Sequence, residues 1–300
     1  MRGDAPDYVL ATPMRNEREL LPELLGTLRA QSVLPSVWLV VDDHSTDGGR
    51  EWLEGEASAL DWVVVVQAPE DAEEYLGGHI ARIKSWGLAQ AVQQAQERGR
   101  VPSFCGILDA DVSLPPDHYE RLIAEFFADS SLGVVSSVLK VPGAKNIEAW
   151  QRSDLPRGPT QLFTHACWQA IGGLPRVQGY DAIANLKAKN RGFRTKLATN
   201  VVASHRRETS TREGHARGFE RRGSYAHYLH LHPLLVLGRS LAYSLDAPHA
   251  KGLHFLKGWA RAALSREPRC PDPEVARHYR HERVREVFNA ALGRGIRFVR

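Results

Sequence analysis

The chain reads as an α/β protein, with a mostly parallel central sheet flanked by helices and an α-helical C-terminal region. Three observations predict this. Short, continuous, β-branched apolar runs alternate with helix-period segments four times between Tyr8 and Leu139, the pattern of strands buried on both faces. The polar clusters follow these runs, as ligand loops do at the carboxyl ends of parallel strands. Beyond Gly214 the β-type runs cease and helix-spaced leucines take over.

Tyr8–Ala11 is the first strand, closed by the breaker Thr12-Pro13. Leu20, Leu21, Leu24, Leu25 and Leu28 recur at helical spacing, with Pro22 tolerated near the first turn. Val37–Val41 is a buried strand closed by Asp42-Asp43, and a short helix from about Asp47 to Ala57 leads to strand Trp62–Gln67. A helix over His79–Arg98 precedes strand Ser103–Leu108, which runs into Asp109-Ala110-Asp111. Helix Asp117–Ala128 and strand Gly133–Leu139 complete the alternation. Pro142–Thr160 is rich in Pro, Gly and charge and reads as a loop. After the mixed segment Gln161–Gly173 come helix Tyr180–Lys189, stopped by Asn190-Arg191-Gly192, and a short strand Val201–Ala203. The helical remainder has breaks near Pro233, Pro248 and Pro268–Pro273. The expected organisation is a catalytic domain over 1–213 and a helical extension over 214–300.

Composition excludes several classes. The longest apolar stretches, Trp62–Val66 and Pro233–Leu237, fall far short of the ~20 residues needed to span a bilayer. The N-terminus lacks an apolar signal-type core, so a cytoplasmic protein is expected. Cys105, Cys167 and Cys270 lie far apart with no CxxC, which argues against a disulfide framework and a structural zinc site. Neither G-x-G-x-x-G nor G-x-x-x-x-G-K-[ST] occurs, so the dinucleotide and P-loop modes are out. The net charge of +4 is split: residues 201–300 hold 19 Lys+Arg against 9 Asp+Glu, residues 1–200 hold 20 against 26. A basic tail of this kind fits an anionic partner, or simply a solvated helical surface.

The polar clusters carry the chemistry. Asp109 and Asp111, one residue apart at a strand end, can share a hard divalent cation that bridges two phosphates. Asp42-Asp43-His44-Ser45-Thr46-Asp47-Gly48 holds good helix caps, yet a cap does not require the paired Asp42-Asp43. A carboxylate there can accept from a base imide or a ribose hydroxyl.

In order, these segments resemble a family. Tyr8–Glu17 is similar to the opening strand and polar loop of family 2 glycosyltransferases of the GT-A fold, and Val40–Gly48 resembles their VVDDxSTDG signature. Leu108–Asp111 resembles their DxD motif, and Phe163–Leu174 the segment preceding their acceptor site. Gly179-Tyr180-Asp181, with Arg191-Gly192 downstream, sits where the family has ED…R…G, although Tyr180 replaces the usual acidic residue. The resemblance spans residues 8–207; His205-Arg206-Arg207 is similar to its HHR-type segment.

The resemblance implies transfer of a sugar, with inversion, from a nucleotide-diphosphate donor (UDP-, GDP- or dTDP-linked) to an acceptor hydroxyl, in cell-envelope or exopolysaccharide synthesis. Mn²⁺ or Mg²⁺ would sit on Asp111, with Asp109 and His205 as further ligands. Thr12, Pro13, Arg15, Glu17, Asp43, Asp109 and Ala110 would line the donor pocket. Arg15 and Lys84 would reach the phosphates, although a lysine on a helix is more simply a solvated one. Asp181 would be the general base; without the resemblance it is a helix N-terminal carboxylate. His165 and Trp168 would flank the acceptor, and Arg206 and Arg207 would clamp phosphate, while a tryptophan at that spacing is more often core.

The C-terminal leucines, with basic flanks, suggest an amphipathic region lying on an anionic membrane near a lipid-linked acceptor. The simpler expectation is a helical appendage that packs on the catalytic domain or forms a homodimer. Tyr225, Tyr228 and Trp259 are too scattered to form a nucleic-acid platform. Two competing readings are a haloacid-dehalogenase-type phosphatase using Asp109 and Asp111, and a non-enzymatic anion-binding module. The first wants its aspartates after the first strand rather than the fourth.

Overall fold

The computed structural model describes residues 6–70, 78–140, 153–206, 215–245 and 247–291. The chain divides into two compact units, one ending at Arg206 and the other beginning at Arg207. The boundary expected at 213/214 falls among residues outside those described, as do most of the Pro142–Thr160 loop and Arg207.

The first unit contains strands β1 (Tyr8–Met14), β2 (Val37–Asp42), β3 (Val63–Gln67), β4 (Phe104–Ile107), β5 (Val112–Ser113), β6 (Leu132–Lys140), β7 (Leu162–Thr164) and β8 (Arg194–His205). Its helices are α1 (Leu21–Arg29), α2 (Gly49–Ala57), α3 (Gly78–Glu97), α4 (His118–Ala128), α5 (His165–Ala170) and α6 (Tyr180–Asn190). They surround one sheet of order β3-β2-β1-β4-β7-β6-β8-β5. The strands β1 to β4 run parallel, as the buried apolar runs require. Tyr8, Leu10, Trp38 and Val40 face a core shared with Leu24, Leu28, Tyr119 and Phe126. Val9, Ala11, Leu39 and Val41 face the other core, with Leu88, Val92, Phe163 and Ala184. Alternate residues of the same strands thus bury both faces.

Two features depart from the sequence reading. β1 continues through Thr12-Pro13 to Met14, because its pairing with β4 ends at Ala11 and beyond that it has only β2 as a neighbour. A proline there interrupts no second ladder. The expected strand Val201–Ala203 is a twelve-residue strand, β8, whose alternating exposure masks it in a polar sequence. The mostly parallel sheet matches the reading, with β6 parallel to β8 and antiparallel pairings only where β7 lies between β4 and β6 and where β5 meets β8.

The second unit holds α7 (His215–Tyr228), α8 (Pro233–Leu245), α9 (Lys251–Leu264), α10 (Pro273–Arg277) and α11 (Arg283–Ala291), with a π-helical stretch at His278–Glu282. Pro233 begins α8 and Asp272 caps α10, its carboxylate accepting from the Glu274 amide at 2.9 Å. Phe219, Leu231, Val236 and Phe255 form a core of its own. α7 and α9 cross so closely that a Cβ on Gly258 would lie 1.9 Å from the Glu220 carbonyl oxygen. Among the described residues no helix is long and apolar enough to cross a membrane.

Candidate active site

β1, β2 and β4 point their carboxyl ends to one rim, and the loops there are tied together. The Asp43 amide donates to the Met14 carbonyl at 2.7 Å, the Thr46 amide to Asn16 Oδ1 at 2.8 Å, and the Arg18 amide to Asp47 at 2.8 Å. The S-T-D-G run therefore caps less than expected and instead fastens the second loop to the first. Asp42 is buried and turns back to accept from the Ser45 amide at 3.2 Å. Asp43 is also buried, with its carboxylate bracketed by Arg15 at 3.3 Å and by His79 Nε2 at 3.0 Å from both oxygens. His79 comes from the first turn of α3. No spacing in the sequence connects it to Asp43, and only the fold brings the two together.

Lys84 is 5% exposed, so the solvated lysine expected on α3 is overturned. Its Nζ lies 2.5 Å from Asp109 Oδ1 and donates to the Tyr180 hydroxyl at 2.8 Å. The ammonium also stands 4.9 Å from the Tyr180 ring centre. Burial alone would pull the lysine pKa down, but the Asp109 charge and the Tyr180 hydroxyl outweigh it and raise it above the ordinary value. Burial, only partly countered by Lys84, raises the Tyr180 pKa. Lys84 is thus committed to Asp109, whereas the sequence reading sends it to phosphate.

The same first turn of α6 carries Asp181. Its Oδ2 accepts from the Gly158 amide at 3.2 Å, and the neighbouring Pro159 carbonyl accepts from the Asp109 amide at 3.0 Å. One turn, 158–160, thus joins Asp181 to the strand end that carries Asp109. Gly158 is required there, since a Cβ would meet the Tyr180 hydroxyl at 2.3 Å. Behind it, Ser137 with Thr160 and Gln161 with Asn185 form a buried hydrogen-bonded set that fixes the turn.

β5 pairs with β8 so that Val112 opposes His205, which sets His205 Nε2 3.3 Å from Asp111 Oδ1. This pair can offer one oxygen and one nitrogen to a cation. Among the described residues no group of three His, Cys, Asp or Glu side chains stands assembled to hold a metal, and Asp109 is turned towards Lys84. Arg206 donates its amide to the Asp111 carbonyl at 2.9 Å, but its guanidinium pairs with Glu23 of α1.

Other expected residues fall elsewhere. The Thr12 hydroxyl accepts from Trp38 Nε1 at 2.9 Å inside the core, so its side chain does not line the rim. Pro13 and Ala110 are buried, and the Glu17 backbone carbonyl accepts from the Leu20 and Leu21 amides just before α1. His165 is a correction: it follows antiparallel β7 and donates to the Pro102 carbonyl at 2.8 Å, at the amino end of β4. Six residues of extended chain, about 20 Å, separate that end from Asp109. Trp168 stands beside His165, packs against the second core and lines a groove of about 660 Å³ with Ser85, Gly172, Gly173 and Arg176.

The model of glycosyl transferase family 2 matches residues 10–177. No curated protein matches the sequence. The fold is similar to the mannosyltransferase PcManGT of Pyrobaculum calidifontis, in complex with GDP-Man and Mn²⁺: TM-score 0.54 and 21% identity over 97% of this chain and 83% of that one. It is also similar to residues 1–349 of S. aureus TarS in complex with UDP-GlcNAc, with TM-score 0.53 and 16% identity over 96% of this chain and 88% of that one. The UDP complex of the same TarS piece matches with the same TM-score over 87% of its length.

Proposed function

The chain belongs to glycosyl transferase family 2, and from that premise we propose that it moves a sugar from a nucleotide-diphosphate donor to an acceptor hydroxyl, with inversion, in cell-envelope or exopolysaccharide synthesis. One observation carries the reading: the 158–160 turn binds Asp181 on one side and the Asp109 strand end on the other. A base for the acceptor and a carboxylate for the donor then stand on adjacent segments.

Each residue has a role in this scheme. Asp43 accepts from the base imide or a ribose hydroxyl, held in orientation by His79 and Arg15. Arg15 is 63% exposed and extends towards the phosphates. Asp109, fixed by Lys84, accepts from a donor hydroxyl. Asp181 takes the acceptor proton, its carboxylate aimed by the Gly158 amide. Asp111 and His205 would hold a divalent cation beside the donor's diphosphate. An imidazole in that set suits Mn²⁺ better than Mg²⁺. When bound, the cation neutralises charge on the departing diphosphate.

The test combines donor binding with turnover. UDP, GDP and dTDP are screened by thermal shift with and without Mn²⁺, and one of them should stabilise the protein in a Mn²⁺-dependent way. Asp181→Asn should keep that shift while transfer drops by roughly 10²–10⁴-fold. No shift with any diphosphate would overturn the donor reading, and unchanged turnover would remove Asp181 from the mechanism.

A further inference from the structure

We infer that the second unit docks in the plane of an anionic lipid bilayer through the outer face of α8. This goes beyond sugar transfer and does not depend on it.

A helix of a water-facing unit normally turns its apolar stripe inward and its polar residues outward. α8 is reversed. Leu234, Leu237, Leu241 and Leu245 are 61%, 56%, 67% and 73% exposed. The remaining exposed positions are Pro233, Gly238 and Ala242, and none carries a charge. The polar residues are the half-buried ones: Arg239, Ser240 and Ser244. Ser240 Oγ donates to the Gly252 carbonyl of α9 at 2.8 Å, and Ser244 Oγ to the Ser240 carbonyl at 3.1 Å. The leucines fall at i, i+3, i+7 and i+11, a single stripe about 16 Å long. A lone exposed leucine carries no information, but a contiguous uncharged stripe marks a docking face.

Charge selects the occupant. Residues 215–291 hold 13 Lys+Arg against 7 Asp+Glu. α9, packed on α8, exposes Leu253 and Leu264, with the exposed Arg266 two residues beyond, while its Lys257 and Arg261 pair with Glu220 of α7. Leucines beside cations match an anionic leaflet, apolar side chains entering the acyl boundary and cations meeting headgroups. With thirteen residues α8 is too short to cross a bilayer, so it lies along the surface. A second copy fits less well. The footprint of α8, about 20 by 10 Å, is far below the ~800 Å² per partner of a standard interface.

The full chain is sedimented with vesicles of phosphatidylcholine alone or mixed equally with phosphatidylglycerol. It should pellet with the mixed vesicles, at least about tenfold less with the neutral ones, and Leu237→Ser/Leu241→Ser should abolish the difference. A second readout survives any folding defect of that variant. The three native cysteines are buried, so Leu241→Cys offers an accessible thiol for an environment-sensitive dye, whose emission should shift blue on the anionic vesicles. Absence of binding, binding untouched by the double substitution, or no dye shift would each overturn the proposal. So would a dimer in solution that the double substitution dissolves. The diphosphate-dependent thermal shift is read on the same variants, so a failed bilayer seat is distinguishable from a failed donor reading.

Discussion

Lys84 shows how far one buried charge organises its surroundings. Its ammonium lies 2.5 Å from Asp109 and 2.8 Å from the Tyr180 hydroxyl, so it ties together a helix, a strand end and the first turn of another helix. The resemblance puts Tyr180 where the family motif has an acid. A carboxylate there would compete with Asp109 for the one lysine, whereas a phenol satisfies the ammonium without withdrawing its charge. Lys84→Met leaves the half-buried Asp109 carboxylate without its cation and should destabilise the first unit by about 2–4 kcal/mol, less than a fully buried unpaired charge would cost. Tyr180→Phe keeps the ring and removes one hydrogen bond to a charged group, a loss of about 1–3 kcal/mol. Urea unfolding measures both. Equal losses from the two would show that the hydroxyl, and not the ion pair, holds the junction.

Elements explain what could be read in the sequence and what could not. β1, β2, β3 and β4 were legible because strands buried on both faces are continuous apolar runs, and their ends place Asp43, Asp109 and Asp111 on one rim. β5 has two residues and β7 three, too short for any period to register. The antiparallel run of β7 also decides where His165 stands: the resemblance puts it beside the acceptor, but β7 runs against β4 and leaves it at the amino end of that strand. Thr12 fails for a different reason, since strand alternation turns its hydroxyl to Trp38. His79 and Tyr180 meet their partners across 36 and 96 residues, beyond any local pattern. In the second unit the helices were legible from leucine spacing, but their closeness was not. Gly258 sits against the α7 backbone, so Gly258→Val should force α7 and α9 apart and cost at least about 1–3 kcal/mol. Gly238 on α8 has open space where a Cβ would stand, with nothing within 4 Å, and Gly238→Ala should stabilise by about 0.5–1 kcal/mol. Thermal unfolding of the two variants should therefore move in opposite directions, and a loss from Gly238→Ala would show that α8 needs its glycine.

At the scale of the whole chain, the charge split acquires a physical division. Three acidic side chains of the first unit stand at strand ends, Asp43, Asp109 and Asp111, and each already faces a basic residue: His79, Lys84 and His205. The second unit has its own core and its own ion pairs, with Glu220 of α7 meeting Lys257 and Arg261 of α9 at 2.8 and 3.8 Å. Two cores with separate ion pairs predict two thermal transitions in calorimetry of the intact chain. A nucleoside diphosphate with Mn²⁺ binds, on the proposed reading, only the first. At a hundred times its dissociation constant it stabilises that unit by about 2.7 kcal/mol, so one transition should rise while the other stays. Gly258→Val identifies them, since it should lower only the transition the ligand leaves unmoved. A single transition that rises as a whole would mean the units unfold together, and the binding energy of the donor would then be shared by the α7–α9 helices.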